Sequence, residues 1–292
     1  MGLFDDVLLT VDFDRTLTAP DSTIPERNLQ AISYFMENGG AFTVNTGRSV
    51  PMAMHNLMPH VPVNAPLLLY NGSAAWDLET QSLTLCRPID LPMGQVVRAV
   101  QAQFPELTVE IQGRQAHYIL HENKRWERYC DHNRCPWAYC PPEEIPGPFL
   151  KFSLYGEFRD ETVASLDEAT EEDLALFDRA IAYIRDNYGD RVDVVRACAR
   201  IADVHAKGAT KAASARALQK RLGRRILVCV GDAENDLTML QEADFAYCPA
   251  DGLLADRFET VCPCADGAVA DVIYEKIPAI LEIDLDNRRY LC

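Results

Sequence analysis

Three short polar clusters in this sequence each follow an apolar run, and their residue types suit chemistry at phosphorus. "VDFDRTL" (11–17) sets Asp12 and Asp14 one residue apart just past "VLLTV" (7–11), "NTGR" (45–48) follows "AFTV" (41–44), and "GDAEND" (231–236) follows "RILVCV" (225–230). In open parallel sheets the ligand crevice lies beyond the carboxyl ends of the strands. If these three strands are neighbours, Asp12, Asp14, Thr46, Asp232, Asn235 and Asp236 converge on one spot. Four carboxylates crowded together repel, so such a site calls for a cation. An all-oxygen donor set with few carboxylates suits Mg2+, which keeps waters and shares its shell with substrate phosphate.

Such an ion beside a free carboxylate, a hydroxyl and a lysine is the equipment for phosphoryl transfer to an aspartate. One carboxylate attacks in line. The other handles protons: Asp14, one residue further along a chain leaving its strand, can point to the opposite side of the phosphorus, protonate the leaving oxygen and then activate water. The lysine expected here is Lys211, at the start of a helix whose amino end adds partial positive charge, with Lys207 as its nearby competitor.

Each residue also has a plainer reading. Asp-x-Asp-x-Thr alone fits a solvated turn, Thr46 fits a helix cap, Lys211 a solvated helix lysine, and Asp232 with Asp236 a helix amino-terminal charge pattern. Rival chemistries lack their parts. A calcium loop starting at Asp12 would need Gly and Glu where Leu17 and Thr23 stand, and no Walker A loop, dinucleotide glycine fingerprint, Gly-x-Ser-x-Gly elbow or His-Glu-x-x-His helix is present.

The elements that must position these residues follow an alternating rhythm. Strand "VLLTV", an amphipathic helix through "IPERNLQAISYFMENGG" stopped by Gly39, strand "AFTV", a short helix in "SVPMAMHNLMPHV" and strand "PLLLY" (66–70) make βαβαβ in about seventy residues. From about 76 to 200 the rhythm breaks into strand-like "SLTLCR" and "AHYIL", a Pro-rich patch and a helix through "EEDLALFDRAIAYIRDNYGD". From about 203 it returns, with helix "TKAASARALQKRLG", strand "RILVCV" and a helix opened by "GDAENDLTML". The pattern is one α/β core split around an inserted α+β module.

Composition narrows the partners. The 292 residues are 48% hydrophobic, enough for a substantial core and two domains, and carry 44 acidic against 28 basic residues, a formal charge of −16. That balance opposes unpatterned attraction to nucleic acid or anionic membrane. No stretch approaches the roughly 18 apolar residues of a membrane span, and the amino terminus carries Asp5 and Asp6 instead of a positive region, so a cytoplasmic location is expected. Asp6 and the terminal "RRYLC" fit neither common lipidation pattern. Ten scattered cysteines read as reduced; Cys130, His132, Cys135 and Cys140 match no common zinc spacing, nor do Cys262 and Cys264. Trp126, Tyr129, Trp137 and Tyr139 read equally as a small-domain core or a wall facing substrate.

"DFDRTL", "NTGR", "KGATKAASARAL" and "GDAENDLTML", in this order, resemble the four motifs of the haloacid dehalogenase (HAD) superfamily, in its Cof-like branch; Asn71-Gly72 and "CPCADGAVADVI" extend the resemblance. It implies a Rossmann-like parallel-sheet core over 1–78 and 203–292, with an inserted α+β cap over 79–202 that selects the substrate. By the same resemblance Asp12 is nucleophile and metal ligand, and Asp14 is general acid/base and lends its backbone carbonyl to Mg2+. Thr46, Gly47, Arg48, Asn71 and Lys211 serve phosphate or substrate, Asp232 binds the metal, and Asn235 and Asp236 support its shell. The implied activity is hydrolysis of a small phosphorylated metabolite, sugar phosphates first; a phosphomutase or phosphotransferase, or an idle metal- or phosphate-binding regulator, are the alternatives. One position departs: Arg15 stands where the family usually has Gly, which implies either a changed turn or a guanidinium reaching the phosphate or cap.

Overall fold

The computed structural model describes residues 2–157 and 168–282; the terminal "RRYLC" lies outside them. The chain divides into two compact units. The first comprises the residues up to Thr46, His60–Leu67 and those from Ala215 onward; the second comprises Gly47–Pro59 and Leu68–Ser214.

The first unit is built on β1 (Val7–Val11), whose five residues are all buried. A strand apolar on both faces belongs in the middle of a covered parallel sheet. It pairs in parallel with β2 (Ala41–Val44) on one side and β12 (Ile226–Val230) on the other, Leu9 standing opposite Phe42 and Val228. With β13 (Phe245–Pro249) and β14 (Glu259–Val261) the sheet order is β14-β13-β12-β1-β2, parallel throughout. The strands that carry the three polar clusters are therefore neighbours.

Helix α1 (Glu26–Glu37) buries Ala31, Ile32 and Phe35 along one face. It ends in a Schellman motif: Gly39 sits at φ 93°, its amide donates to the Met36 carbonyl, and the Gly40 amide donates to Phe35. Asn28, on the same helix and fully buried, bridges two other segments. Its Nδ2 donates to the Leu17 carbonyl (3.1 Å) and its Oδ1 accepts from the Ala270 amide (2.9 Å) inside the short helix α8 (Ala268–Asp271).

One element departs from the expected order. β3 (Leu67–Leu69) is not a third strand of the parallel sheet; it belongs to a three-stranded sheet with β4 (Ala74–Asp77) and β5 (Ser82–Cys86). The reason lies on the edge of β2. Asn64 occupies the polar groups there, accepting from the Phe42 amide and donating to the Gly40 carbonyl (both 2.8 Å), while Thr43 donates its hydroxyl to the Pro66 carbonyl (2.7 Å). Side chains thus satisfy an edge that a ladder would otherwise fill.

The second unit also holds a six-stranded sheet, in order β10 (Val192–Cys198), β11 (Ile201–Ala206), β9 (Lys151–Tyr155), β6 (Thr108–Gln112), β7 (His117–Ile119) and β8 (Trp137–Tyr139). It is antiparallel except for β7 with β8. Helices α3 (Met93–Gln103) and α5 (Glu171–Tyr188) join the apolar residues of these strands, such as Ile111, Leu154 and Val204, in one core. Helix α4 (Lys124–His132) supplies Trp126, Tyr129 and Cys130 to a smaller core with Cys135 and Tyr155, so Trp126 and Tyr129 are core residues, while Tyr139 is exposed. No helix among the described residues is long and apolar enough to cross a membrane.

Replacing Asn28 with Leu removes the Asn28 donor from the buried Leu17 carbonyl, while the Ala270 amide keeps only its bond to the Gly267 carbonyl (2.9 Å). The expected loss is about 1–3 kcal/mol of unfolding free energy, read from urea denaturation.

Candidate active site

At the carboxyl ends of β12, β1 and β2 the ladder continues one step, with the Asp12 amide donating to the Val230 carbonyl and the Asn45 amide to Val11 (both 2.9 Å). That carries Asp12 and Asp232 out of adjacent strands side by side. One carboxylate oxygen each from Asp12, Asp232 and Asp236 lies within 4.8 Å of the others, and all three residues are buried.

The surrounding backbone explains how the third carboxylate arrives. After β12 the chain turns through Glu234–Asp236 into α7 (Leu237–Glu242), and Asp236 folds back so that its Oδ2 accepts from the Asp232 and Ala233 amides (3.1 and 3.2 Å). Gly231 makes this possible, because a Cβ there would sit 2.6 Å from that of Asp236. Thr16, to which the sequence reading assigned no role, donates its hydroxyl to Asp232 Oδ1 (2.8 Å). Three buried carboxylates that share one small volume fit a hard divalent cation with oxygen ligands. Asn235 lies half-buried on the turn between Asp232 and Asp236, and Thr46 is buried just past β2.

Asp14 stands apart. It is exposed where Asp12 is buried, because the five-residue turn Phe13–Leu17, closed by the Thr18 amide on the Phe13 carbonyl (3.0 Å), swings the chain away from the strand. Arg15 holds the turn at φ 58° and ψ 12°, and its amide donates to Thr18 Oγ1 (3.2 Å). The turn thus keeps a left-handed residue although Gly is absent. A side chain in that conformation costs about 1–2 kcal/mol.

The remaining site residues of the sequence reading lie in the second unit. Gly47 and Arg48 are half-buried ahead of α2 (Val50–Asn56), and Ser49, not Thr46, caps that helix, accepting from the Met52 amide (3.4 Å). A Cβ on Gly47 would come within 2.9 Å of Asn71 Oδ1, so the missing side chain makes room for Asn71. Tyr70, Asn71 and Gly72 all take positive φ (54°, 55° and 95°), a run in which Asn and Gly are the residues least penalised. A Cβ on Gly72 would also lie 2.1 Å from the Thr210 carbonyl. Lys211 begins α6 (Lys211–Leu222) at 1% exposure, whereas Lys207 is exposed and paired with Asp193 (2.7 Å).

Asn71 Nδ2 donates to Asp203 Oδ2 (2.7 Å), and Asp203 also pairs with Lys151 (2.9 Å) and accepts from Ser153 (2.6 Å). Burial alone would raise the Asp203 carboxyl; the Lys151 charge and the three donors outweigh it and hold the pKa below the usual range. Sequence reasoning missed Lys151 and Asp203. The available signal was polar residues at alternate positions of "KFSLY" and "IADVHA", which mark one face of a sheet but not its partner.

The nine described cysteines are all free. Cys130 and Cys135 are buried while His132 is exposed; among the described residues Cys130 groups its sulfur with buried Glu110 and His117, and not with His132, Cys135 or Cys140. Burial first, then the hydrogen bond to Asp251, pushes the Cys264 thiol up to about 12, so it stays protonated at neutral pH.

A family model of haloacid dehalogenase-like hydrolases matches residues 9–252. The chain belongs to the haloacid dehalogenase-like hydrolases. Solved structures share the fold of this HAD hydrolase. A haloacid dehalogenase-like hydrolase from Bacteroides thetaiotaomicron is 17% identical with a TM-score of 0.73, over 92% of this chain and 98% of its own. One from B. subtilis is 16% identical with a TM-score of 0.74, over 92% and 99%. A HAD subclass IIB sugar phosphatase is 16% identical with a TM-score of 0.73, over 93% and 99%.

Two outcomes follow for this HAD hydrolase. Arg15→Gly relieves the left-handed strain and gives back part of it as unfolded-state entropy, for a net gain of about 0.5–1 kcal/mol in urea denaturation. A divalent cation at about a hundredfold over its Kd is expected to add about 2.7 kcal/mol, a Tm rise of roughly 5–10 °C that Asp232→Asn removes and EDTA reverses.

Proposed function

We propose that this HAD hydrolase is a Mg2+-dependent phosphatase that cleaves a small phosphorylated metabolite, a sugar phosphate first among them, through an aspartyl-phosphate on Asp12. The observation that carries the reading is the contrast between neighbours: Asp12 is buried in a three-carboxylate cluster, and Asp14, two residues on, is exposed. Two carboxylates in such different environments suit two roles.

Mg2+, held by Asp12, Asp232 and Asp236 with Asn235 and the Asp14 backbone carbonyl in support, would neutralise charge on the phosphoryl oxygens. Asp12 attacks phosphorus with a carboxylate oxygen, and the bond from phosphorus to the leaving oxygen breaks. Asp14 gives its proton to that oxygen, then takes one from a water that cleaves the acyl-phosphate and regenerates Asp12. Thr46 bonds a phosphate oxygen, and Lys211 supplies positive charge from the start of α6, where the helix amino end reinforces it. Thr16 steadies Asp232 through the hydrogen bond described above. Gly47, Arg48 and Asn71 face phosphate or substrate, and the inserted cap, read over 79–202, selects the alcohol.

The sugar phosphate assignment draws support from the subclass IIB sugar phosphatase among the structural neighbours. The proposed location is the cytoplasm, where such metabolites occur. Phosphate release from a panel of sugar phosphates tests the activity. Asp12→Asn is expected to abolish it by at least about a thousandfold, Asp14→Asn to lower it about a hundredfold or more, and EDTA to stop it. An isomerised sugar phosphate without free phosphate would instead identify a mutase, and no turnover by the wild type on any substrate would overturn the enzymatic reading.

A further inference from the structure

One face of the six-stranded sheet is polar and yet buried. Lys151 and Ser153 on β9, Asp203 and His205 on β11, Glu110 and Gln112 on β6 and His117 on β7 are each less than 5% exposed. Strand alternation puts apolar partners such as Phe152, Leu154 and Val204 on the other face. Two loops of the same unit rest on this polar face. Lys151 Nζ donates to the Gly47 carbonyl (2.8 Å), Asn71 donates to Asp203, and His117 Nε2 meets Ser49 Oγ (2.8 Å) while its Nδ1 pairs with Glu110.

We propose that the buried Lys151–Asp203 pair is a positioning device for phosphate recognition, setting the peptide plane after Gly47 and the side chain of Asn71 from one shared ion pair. A buried ion pair adds little net stability, since an apolar pair of similar volume does as well. Its consequence here is geometric. The Gly47–Arg48 peptide is trans, so a carbonyl aimed at Lys151 turns the Arg48 amide to the opposite side. Ser49, held by His117 and Glu110, fixes the other end of the same segment. Asp203 has no slack: Oδ1 takes Ser153, and Oδ2 takes both Lys151 and Asn71. Lys151 and Asp203 act through Gly47, Arg48 and Asn71, and so the inference rests on the reading of those three as facing phosphate or substrate.

The test is the full-length double variant Lys151→Met/Asp203→Leu, assayed for Tm, for sugar phosphate hydrolysis and for binding of inorganic phosphate by calorimetry. The expected result is a folded variant whose Tm is lowered, because Ser153, Asn71 and the Gly47 carbonyl lose these partners, with kcat/KM and phosphate affinity both lowered at least tenfold at a temperature where it is folded. Wild-type values for both in the folded double variant would overturn the inference and leave the phosphatase reading standing. Phosphate binding that the double variant loses, in a wild type that hydrolyses nothing, would keep the inference and overturn the phosphatase reading; a wild type that neither binds phosphate nor hydrolyses a substrate overturns both. Should the double variant fail to fold, Asp203→Asn carries the test, since it removes one acceptor at nearly constant volume. A severalfold weaker phosphate affinity supports the proposal, and an unchanged one overturns it.

Discussion

Carboxylates of Asp12, Asp232 and Asp236 approach within 4.8 Å of one another inside a buried pocket of backbone, and mutual repulsion is the constraint that the rest of this unit has to meet. At an effective dielectric constant of about 20, each pair at that distance costs about 3.5 kcal/mol when both are charged. A cation removes the cost; without one, folding energy elsewhere must offset it. The sheet supplies that energy. β1 and β12 are fully buried and, apart from Thr10, apolar, so the strands whose ends carry the charges are firmly packed. The loop details follow from the same constraint: Gly231 has no side chain because Asp236 needs the space, and Asp236 is held by two amides so that it stays beside its rivals.

The second unit solves a different problem with similar means. Its sheet covers one face with α3 and α5 and carries charged and polar residues on the other, each with a partner that keeps burial tolerable. For Asp203 the partners are a lysine, a serine and an asparagine; for Glu110, burial that would raise its pKa is outweighed first by the charge of His117, and the carboxyl titrates below its usual range. Such a network is stiff, because moving one member strands the others. Stiffness suits a unit that bears Gly47, Arg48, Asn71 and Lys211, residues whose proposed work is to meet an anion in one geometry.

Much of the fold was legible because it is local. The runs "VLLTV" and "AFTV" became strands with those bounds, and the helix ending at Gly39 stops where a left-handed glycine permits. Where a local signal allowed two answers, non-local contacts chose. Thr46 and Ser49 are both good caps in composition, and only the path of the chain gives the capping role to Ser49. "PLLLY" has the composition of a core strand, but Asn64 already occupies the backbone groups of Phe42 and Gly40 at the edge of β2. Arg15 is the converse case, since the turn geometry persists against the preference of its residue and the surrounding bonds hold it.

Sequence by itself determined the alternation of strands and helices, the acidic clusters at strand ends and the family to which the chain belongs, because each depends on residues close together in the chain or on motifs that need only order. Tertiary structure decided the rest. It made β12, β1 and β2 neighbours, brought Asp236 back to Asp12, and joined Asn71 to Asp203 across 132 positions of sequence. No periodicity encodes such pairings, because side-chain direction repeats over two or 3.6 residues while a buried polar group takes whichever partner the packed chain presents to it.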